Sequence, residues 1–579
     1  MPTTPTRLLA AAATIALATT TLGFSPATGV TDAPSDATAQ QQRVVPAGYE
    51  LTDHWYESHD GVKLHAGVYL PADRADDEVH PVILSVTPYT SPNGGALGLG
   101  FFNSEIPLRF PELFEHPRFK EGRYAYIAAD VRGFGGSGGC FQYYGNDEYL
   151  DMDTHVEWAA NQDWSNGNVG LWGKSYDAAQ EVLALGDPTP GLKAAVIQAP
   201  GLSGYTALWQ NGLHYATGRY ATTSVYVADD LFPNQSMGSL TSTDNTLAQV
   251  DGVEGRPECT VDWQGMNLIG DRDSDYWADK EPYRNVVDNG SDVPVLWHNG
   301  FWDANTKPVG LDVVQSLTGD LEVIWGQWDH KRGNETQFIG RDGFLDQSFR
   351  FFDEHLLGLD VDEDPKAIIQ SGGPDGHWRA EAEWPPLDVA PWTFDLNDGS
   401  FQDLPELLVG GPDSGDGVWS TTPVLPHDVH IAGEPRLHGT IATNLPGQSL
   451  VARMYDIAPD GTAYLISRVG YAATTSFPVS GQPEALDVKM NPNDWVVQAG
   501  HRIGVYLAAS EDNWFTPGAT GQTTLVDLDV DLPLITAKRT EFLDGGESNF
   551  SRPFRETLDS SLVEAHEVAG AIPPAQTTD

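Results

Sequence analysis

An α/β fold with a largely parallel sheet, followed by an all-β region, is predicted by three features of this 579-residue chain. Short β-rich runs alternate with stretches of helical periodicity between residues 62 and 198. The alternation resumes between 293 and 326, after an aromatic-rich interruption. Beyond about residue 390 the texture changes to short alternating runs separated by turn signals.

In chain order, the N-terminus reads as an export signal. Arg7 and the free amine supply positive charge, and Leu8 to Phe24 form an apolar stretch. Ala37-Thr38-Ala39 is a small-x-small cleavage site, with Ala27 an earlier option, so residues 1–39 are expected to be removed from a secreted protein. The stretch falls short of the ~20 strongly apolar residues of a membrane span. No cysteine precedes Cys140 to carry a lipid anchor.

Residues 45–200 carry the first part of the α/β domain. Val62 to Leu70 alternates apolar and polar, as an antiparallel strand does. Pro81 to Thr87 and Tyr124 to Val131 are β-rich runs, the second ending in the Gly-rich segment R-G-F-G-G-S-G-G. Glu148 to Gln162 places Met152, Val156 and Ala159 at helical spacing. Asn168 to Trp172 is a strand running into G-K-S-Y and a helix from Asp177 to Leu185; Leu192 to Gln198 is the next buried strand. Residues 201–285 lack strand alternation and are rich in aromatics (Tyr205, Trp209, Tyr215, Tyr220, Tyr226), which suits a helical cap over the sheet. Residues 286–388 return to the α/β pattern, with strands at Val293 to His298 and Leu321 to Gly326. Residues 389–540 carry a β-sandwich signature, for example Ser449 to Ile457 and His501 to Ala508, with Pro459-Asp460-Gly461 as a turn. A tail is expected over 541–579.

The net charge of −50 argues against nucleic acid or an anionic membrane as partner, since both would be repelled. It favours solubility and leaves a small molecule or short peptide as the expected substrate. The two cysteines, Cys140 and Cys259, are expected to pair in an oxidising compartment, two separate thiols being the alternative.

The strongest chemical signal is N-V-G-L-W-G-K-S-Y-D-A. A serine at a sharp strand-to-helix turn exposes its Oγ at the carboxyl edge of the sheet, and its neighbours must be small because the turn is crowded. Gly173 meets that need before Ser175; after it, Asp177 stands where G-x-S-x-G has glycine, and Ala178 is the small residue instead. A serine hydroxyl needs a base, and the base needs an acid to hold its ring. V-P-V-L-W-H-N-G-F-W-D places Asp303 in the loop after one buried strand, and L-E-V-I-W-G-Q-W-D-H places His330 after the next. Ser, Asp, His is the chain order of α/β-hydrolases. His298 competes as base but lies too close to its own strand end, and Asp329 competes as acid but should point away from His330. An oxyanion formed in the attack needs preorganised donors. Tyr176 offers its backbone N–H, and V-T-P-Y-T puts Tyr89 in the loop after an early strand, a packing role being its alternative.

Together, G-K-S-Y-D-A, T-P-Y, D-V-R-G-F-G-G-S-G-G, N-G-F-W-D, G-Q-W-D-H, D-S-D-Y-W and W-R-A-E-A-E-W-P-P resemble the X-prolyl dipeptidyl aminopeptidase and cocaine esterase (CocE/NonD) superfamily, in order, from about residue 50 to 535. The resemblance implies an α/β-hydrolase domain with a helical cap and a C-terminal jelly-roll (galactose-binding-like) domain. It also implies that Ser175 is nucleophile, Asp303 acid and His330 base, with the Tyr89 hydroxyl and Tyr176 amide as oxyanion hole. The family usually has glycine where Ala178 stands.

Elsewhere, D-R-D-S-D-Y begins like a calcium loop, but Tyr276 occupies the required glycine position. No Cys/His constellation has zinc spacing, and neither metal nor organic cofactor is expected. Asp229 and Asp230 could receive a substrate ammonium and Trp209 could line an acyl pocket, a surface acidic pair and a core aromatic being the alternatives. The expected activity is hydrolysis of an ester or amide through an acyl-enzyme, by a dipeptidyl-peptidase, esterase or acylase. The alternative is a catalytically silent protein whose β-sandwich binds sugar or polymer.

Overall fold

The computed structural model describes residues 42–89, 105–106, 108–216, 266, 268–374, 376–404, 416–473, 483–511, 514–515, 521–548 and 555–577. The expected export segment 1–39, most of the expected cap with Asp229 and Asp230, and Cys259 lie outside the described residues. Cys140 is disulfide-bonded.

The α/β region is built on ten strands: β1 (Tyr49–Glu57), β2 (Lys63–Pro71), β3 (His80–Thr87), β4 (Ala125–Asp130), β5 (Ser165–Lys174), β6 (Leu192–Gln198), β7 (Val295–Gly300), β8 (Leu321–Gly326), β9 (Ala367–Gln370) and β10 (Trp378–Glu381). They form one sheet in the order β10-β9-β8-β7-β6-β5-β3-β4-β2-β1. From β9 to β4 the neighbours run parallel; β10, β2 and β1 are antiparallel edge additions. Every residue of β3 and β4 is buried. A parallel sheet covered on both faces selects such continuous apolar runs, because each fully buried Val, Ile or Leu contributes ~1.5–3 kcal/mol. Val82, Leu84 and Val86 pack into the core on one face while Ile83 joins the core on the other.

Helices α1 (Asn146–Ala160) and α2 (Tyr176–Ala184) supply the first face, and α4 (Phe344–Leu357) the second; α3 (Leu311–Ser316) follows β7. The buried stripe of α1 (Glu148, Met152, His155, Val156 and Ala159) keeps the helical period read from the sequence. Its Glu148 carboxylate accepts hydrogen bonds from Tyr176 Oη at 2.6 Å and Gln180 Nε2 at 2.7 Å, fixing α1 to the head of α2. On the other face Gly170 lets α4 close in: a Cβ there would meet Leu356 Cδ1 and Phe352 Cε1 at 2.8 Å.

The interruption after β6, expected to be helical, begins differently. A short helix, Gly204–Leu208, is capped by Ser203 and Thr206, and an antiparallel pair follows, Trp209–Gln210 with Leu213–His214. The turn is Asn211-Gly212, with φ of 47° and 79°. Asparagine–glycine is the dipeptide that adopts two left-handed residues in succession at low cost.

The C-terminal region contributes β11 (Val389–Asp395), β12 (Gly399–Gln402), β13 (Val418–Thr421), β14 (Val429–Gly433), β15 (Arg436–Thr443), β16 (Ser449–Ile457), β17 (Thr462–Ala472), β18 (Pro483–Lys489), β19 (Asn493–Val497), β20 (Arg502–Ala508), β21 (Gln522–Ile535) and β22 (Arg555–Thr557). One sheet runs β18-β15-β21-β14-β19, with β11 and β12 also paired to β21; the other runs β13-β20-β16-β17-β22. Their buried side chains join a single core. The segment expected to trail as a tail is pinned: β22 pairs with β17, Glu567 bridges to Thr421, and Thr577 bridges to Ala537. At the junction with the α/β sheet, Arg379 of β10 donates to both oxygens of the buried Asp494 of β19, at 2.9 and 2.6 Å. No helix among the described residues is long and apolar enough to cross a membrane.

Candidate active site

Ser175 sits between the last residue of β5 and the first of α2, with φ 70° and ψ −120°. A non-glycine residue in that region is strained and persists only where its surroundings hold it. Those surroundings are tight: a Cβ on Gly173 would lie 2.5 Å from Glu181 Oε1 and 2.6 Å from Ala178 N. The Ser175 amide donates to the Gln198 carbonyl at 3.0 Å, fastening the turn to the end of β6. Ser175 itself is 8% exposed. Tyr176 heads α2, and amides in the first turn of a helix have no carbonyl within that helix to bond.

His330 and Asp303 meet at the ends of β8 and β7, with 2.7 Å between Nδ1 and Oδ2. The other carboxylate oxygen accepts from the amides of Asn305 at 2.8 Å and Thr306 at 2.9 Å. The Thr306 hydroxyl lies 2.9 Å from Asp303 Oδ2 and 3.0 Å from the Ala199 carbonyl. Burial pushes the Asp303 carboxyl up, but His330, Thr306 and Lys174 outweigh it and hold the group below its ordinary value. For His330 burial wins: it lowers the imidazole, and the Asp303 carboxylate only partly restores it. The loop after His330 is tied to the serine turn through Gln198, whose Oε1 accepts from the Gly333 amide at 3.0 Å. His330 Nε2 is buried and has no hydrogen-bond partner among the described residues, so the Ser175–His330 bond is not formed in this state. Such contacts commonly tighten only when substrate is bound.

The competitors are accounted for. His298 is buried, stacked on Trp328 at 5.1 Å, and pushed down to about 3 by burial. Asp329 Oδ1 accepts from the Ala304 amide at 3.0 Å, while the carboxylate bonded to His330 Nδ1 is that of Asp303. Trp209 donates its indole N–H to the Met266 carbonyl at 2.7 Å and packs edge-on to His214 at 4.4 Å. Asp271 accepts from the Asp273 amide at 3.1 Å in a local turn.

Two residues escaped the sequence reading. Thr306 follows Asp303 at the D-x-x-T spacing of a capping turn, a local signal that could have found it. Arg109 had no such signal. Its guanidinium lies 4.4 Å from the centroid of the Tyr89 ring, and its Nε donates to Asp177 at 2.7 Å. Lys174, beside Ser175, is pushed down to about 8, chiefly by burial and then by Arg109.

A parallel sheet with a serine elbow after its fifth strand and a His–Asp pair at two later strand ends is the arrangement of an α/β-hydrolase. Residues 60–332 match the model of the X-Pro dipeptidyl-peptidase (S15) family, and residues 360–549 match that of the X-Pro dipeptidyl-peptidase C-terminal non-catalytic domain. The chain belongs to this family: a match to its S15 domain is followed by a match to its C-terminal domain, which is all-β here. It is 23% identical to the cocaine esterase of a Rhodococcus strain over 540 residues, 78% of this chain and 89% of that one. It is 24% identical to a Mycobacterium bovis protein named as a serine esterase over 424 residues, 62% of this chain, and spans 65% of that relative's length. Among solved structures, an α-amino acid ester hydrolase superposes with a TM-score of 0.61 at 19% identity, over 88% of this chain and 100% of that one. A CocE/NonD family hydrolase from Staphylococcus aureus superposes with 0.64 at 14% identity, over 85% and 97%. These similarities concern the fold.

Proposed function

We propose that the protein is an exported serine hydrolase that cleaves an ester or amide by two-step acyl transfer. Ser175 attacks the carbonyl while His330 takes its proton through Nε2, and Asp303 holds the ring and stabilises the imidazolium. The Tyr89 hydroxyl and the Tyr176 amide receive the oxyanion. His330 then protonates the leaving group, and water releases the acyl group by the same route. The 2.7 Å bond between His330 Nδ1 and Asp303 Oδ2 carries this reading, because it leaves Nε2 as the nitrogen available to the serine. The elbow conformation of Ser175 supports it.

A fluorophosphonate probe is expected to label the protein at Ser175 and to leave Ser175→Ala unlabelled. Equal labelling of both would remove Ser175 as nucleophile; no labelling of either would favour a silent binding protein. Xaa-Pro-anilides, short-chain nitrophenyl esters and β-lactam amides then separate the dipeptidyl-peptidase, esterase and acylase branches.

A further inference from the structure

The elbow departs from G-x-S-x-G at Asp177, and that departure has a partner. Asp177 is fully buried, and its Oδ2 accepts from Arg109 Nε at 2.7 Å, with Nη2 at 2.6 Å. The same Nη2 donates to the Lys174 carbonyl at 3.2 Å, the carbonyl of the peptide that enters Ser175. One guanidinium thus grips the chain on both sides of the serine. Its face lies over the Tyr89 ring at 4.4 Å. A second contact runs through Thr87: the Tyr89 amide donates to Thr87 Oγ1 at 3.2 Å, and Thr87 helps to hold the Asp177 carboxyl down against the effect of burial. The Arg109 carbonyl accepts from Arg332 Nη2 at 3.1 Å, two residues beyond His330.

We propose that Arg109 is a positioning residue: it locks the Tyr89 ring to the nucleophile elbow, so that the phenol and the Tyr176 amide converge on one oxyanion. The inference rests on the reading of Tyr89 as an oxyanion donor. Neither neighbour could hold this geometry alone. Tyr89 and the elbow come from different strand ends, and a displacement of about 1 Å in a reacting group can cost on the order of 10²-fold in rate. A cation over the ring face is attracted by the ring quadrupole and also favours release of the phenolic proton, which strengthens the donor. Lysine can supply the charge but not the planar fork that bonds a carboxylate and a carbonyl while stacking on a ring.

The test is a double-mutant cycle on p-nitrophenyl acetate hydrolysis, with thermal melts as folding controls. Arg109→Gln is expected to lower kcat by about 10- to 100-fold with KM within about twofold, and Arg109→Lys to recover part of the loss. In a Tyr89→Phe background, Arg109→Gln should cost less than about twofold further, because the group it positions is gone. If Arg109→Gln does not fold, Arg109→Lys carries the same comparison. Full multiplication of the two losses would overturn the positioning role while leaving Tyr89 as donor. An unchanged kcat in Tyr89→Phe would overturn the oxyanion reading and this proposal with it.

Discussion

Gln327 donates through Nε2 to Asn493 Oδ1 at 2.9 Å, joining the strand end that leads to His330 to the C-terminal sheet. The same amide reaches the Asp494 carbonyl at 2.9 Å, while Gln327 Oε1 accepts from Trp302 Nε1 at 2.7 Å. Trp302 immediately precedes Asp303. The loops of Asp303 and His330 are therefore both anchored on one glutamine, whose side-chain amide also bonds two residues of the all-β domain.

Gln327→Ala takes the Oε1 acceptor from the buried Trp302 indole N–H and one of two donors from Asn493 Oδ1, which keeps the Asp494 amide. A buried donor that loses its acceptor costs about 1–3 kcal/mol, so a loss of that order is expected in urea denaturation, together with a lower kcat. A variant as stable and as active as the parent would show that the domain contact does not hold the loops.

The imidazole at 330 must be neutral to act as base, and burial lowers its pKa. Activity should therefore rise with pH along a limb centred below the ordinary value of 6.5 and stay flat above it. Asp303→Asn removes the influence that partly restores the pKa, so the limb should move further down while kcat falls by about 10³–10⁴-fold. A pH–rate profile of kcat/KM checks both, and a limb centred above pH 7 would contradict the assignment.

Gly173→Ala should be among the most damaging single-methyl changes in the molecule. The added carbon meets backbone at 2.6 Å and can be accommodated only if the elbow moves. We expect at least ~2 kcal/mol of destabilisation by differential scanning and near-complete loss of fluorophosphonate labelling. Normal labelling would mean that the turn has slack the geometry does not show.

Glu181 is buried beneath the elbow, and neither of its carboxyl oxygens has a partner among the described residues. Burial, helped by Asp177, holds its pKa well above the ordinary 4.5. Its favourable contribution is intact below that value and is lost as pH rises toward the folded value, because the unfolded chain ionises first. Glu181→Gln should therefore gain stability relative to the parent as pH rises, by up to about 1.4 kcal/mol per unit. Denaturation at pH 5, 7 and 9 reads the difference directly; a constant offset would argue against a proton held on Glu181.

The strands of the α/β sheet could be read from the chain because they are buried on both faces and written as unbroken apolar runs; Leu321–Gly326 has the predicted limits. Ser175, Asp303 and His330 were visible because each directly follows such a run. Alternation was a poorer guide. In β2 it suggested one wet face, yet every residue after Lys63 is buried, since β1 and β4 flank it in a sheet covered on both sides. The Asn211-Gly212 hairpin was hidden by surrounding aromatics that carry no strand alternation. Arg109 could not be found from local pattern at all, because its meaning lies in Asp177, 68 residues away.

The edge strand β22 has a practical consequence for shortened versions of the protein. A chain ended at the last residue matched by the C-terminal domain model, 549, would lose it. The backbone of Thr462 to Tyr464, now paired with Arg555 to Thr557, would then face solvent. Exposed strand edges recruit strands from other molecules, so such a protein would be prone to precipitate for reasons unrelated to its catalytic centre.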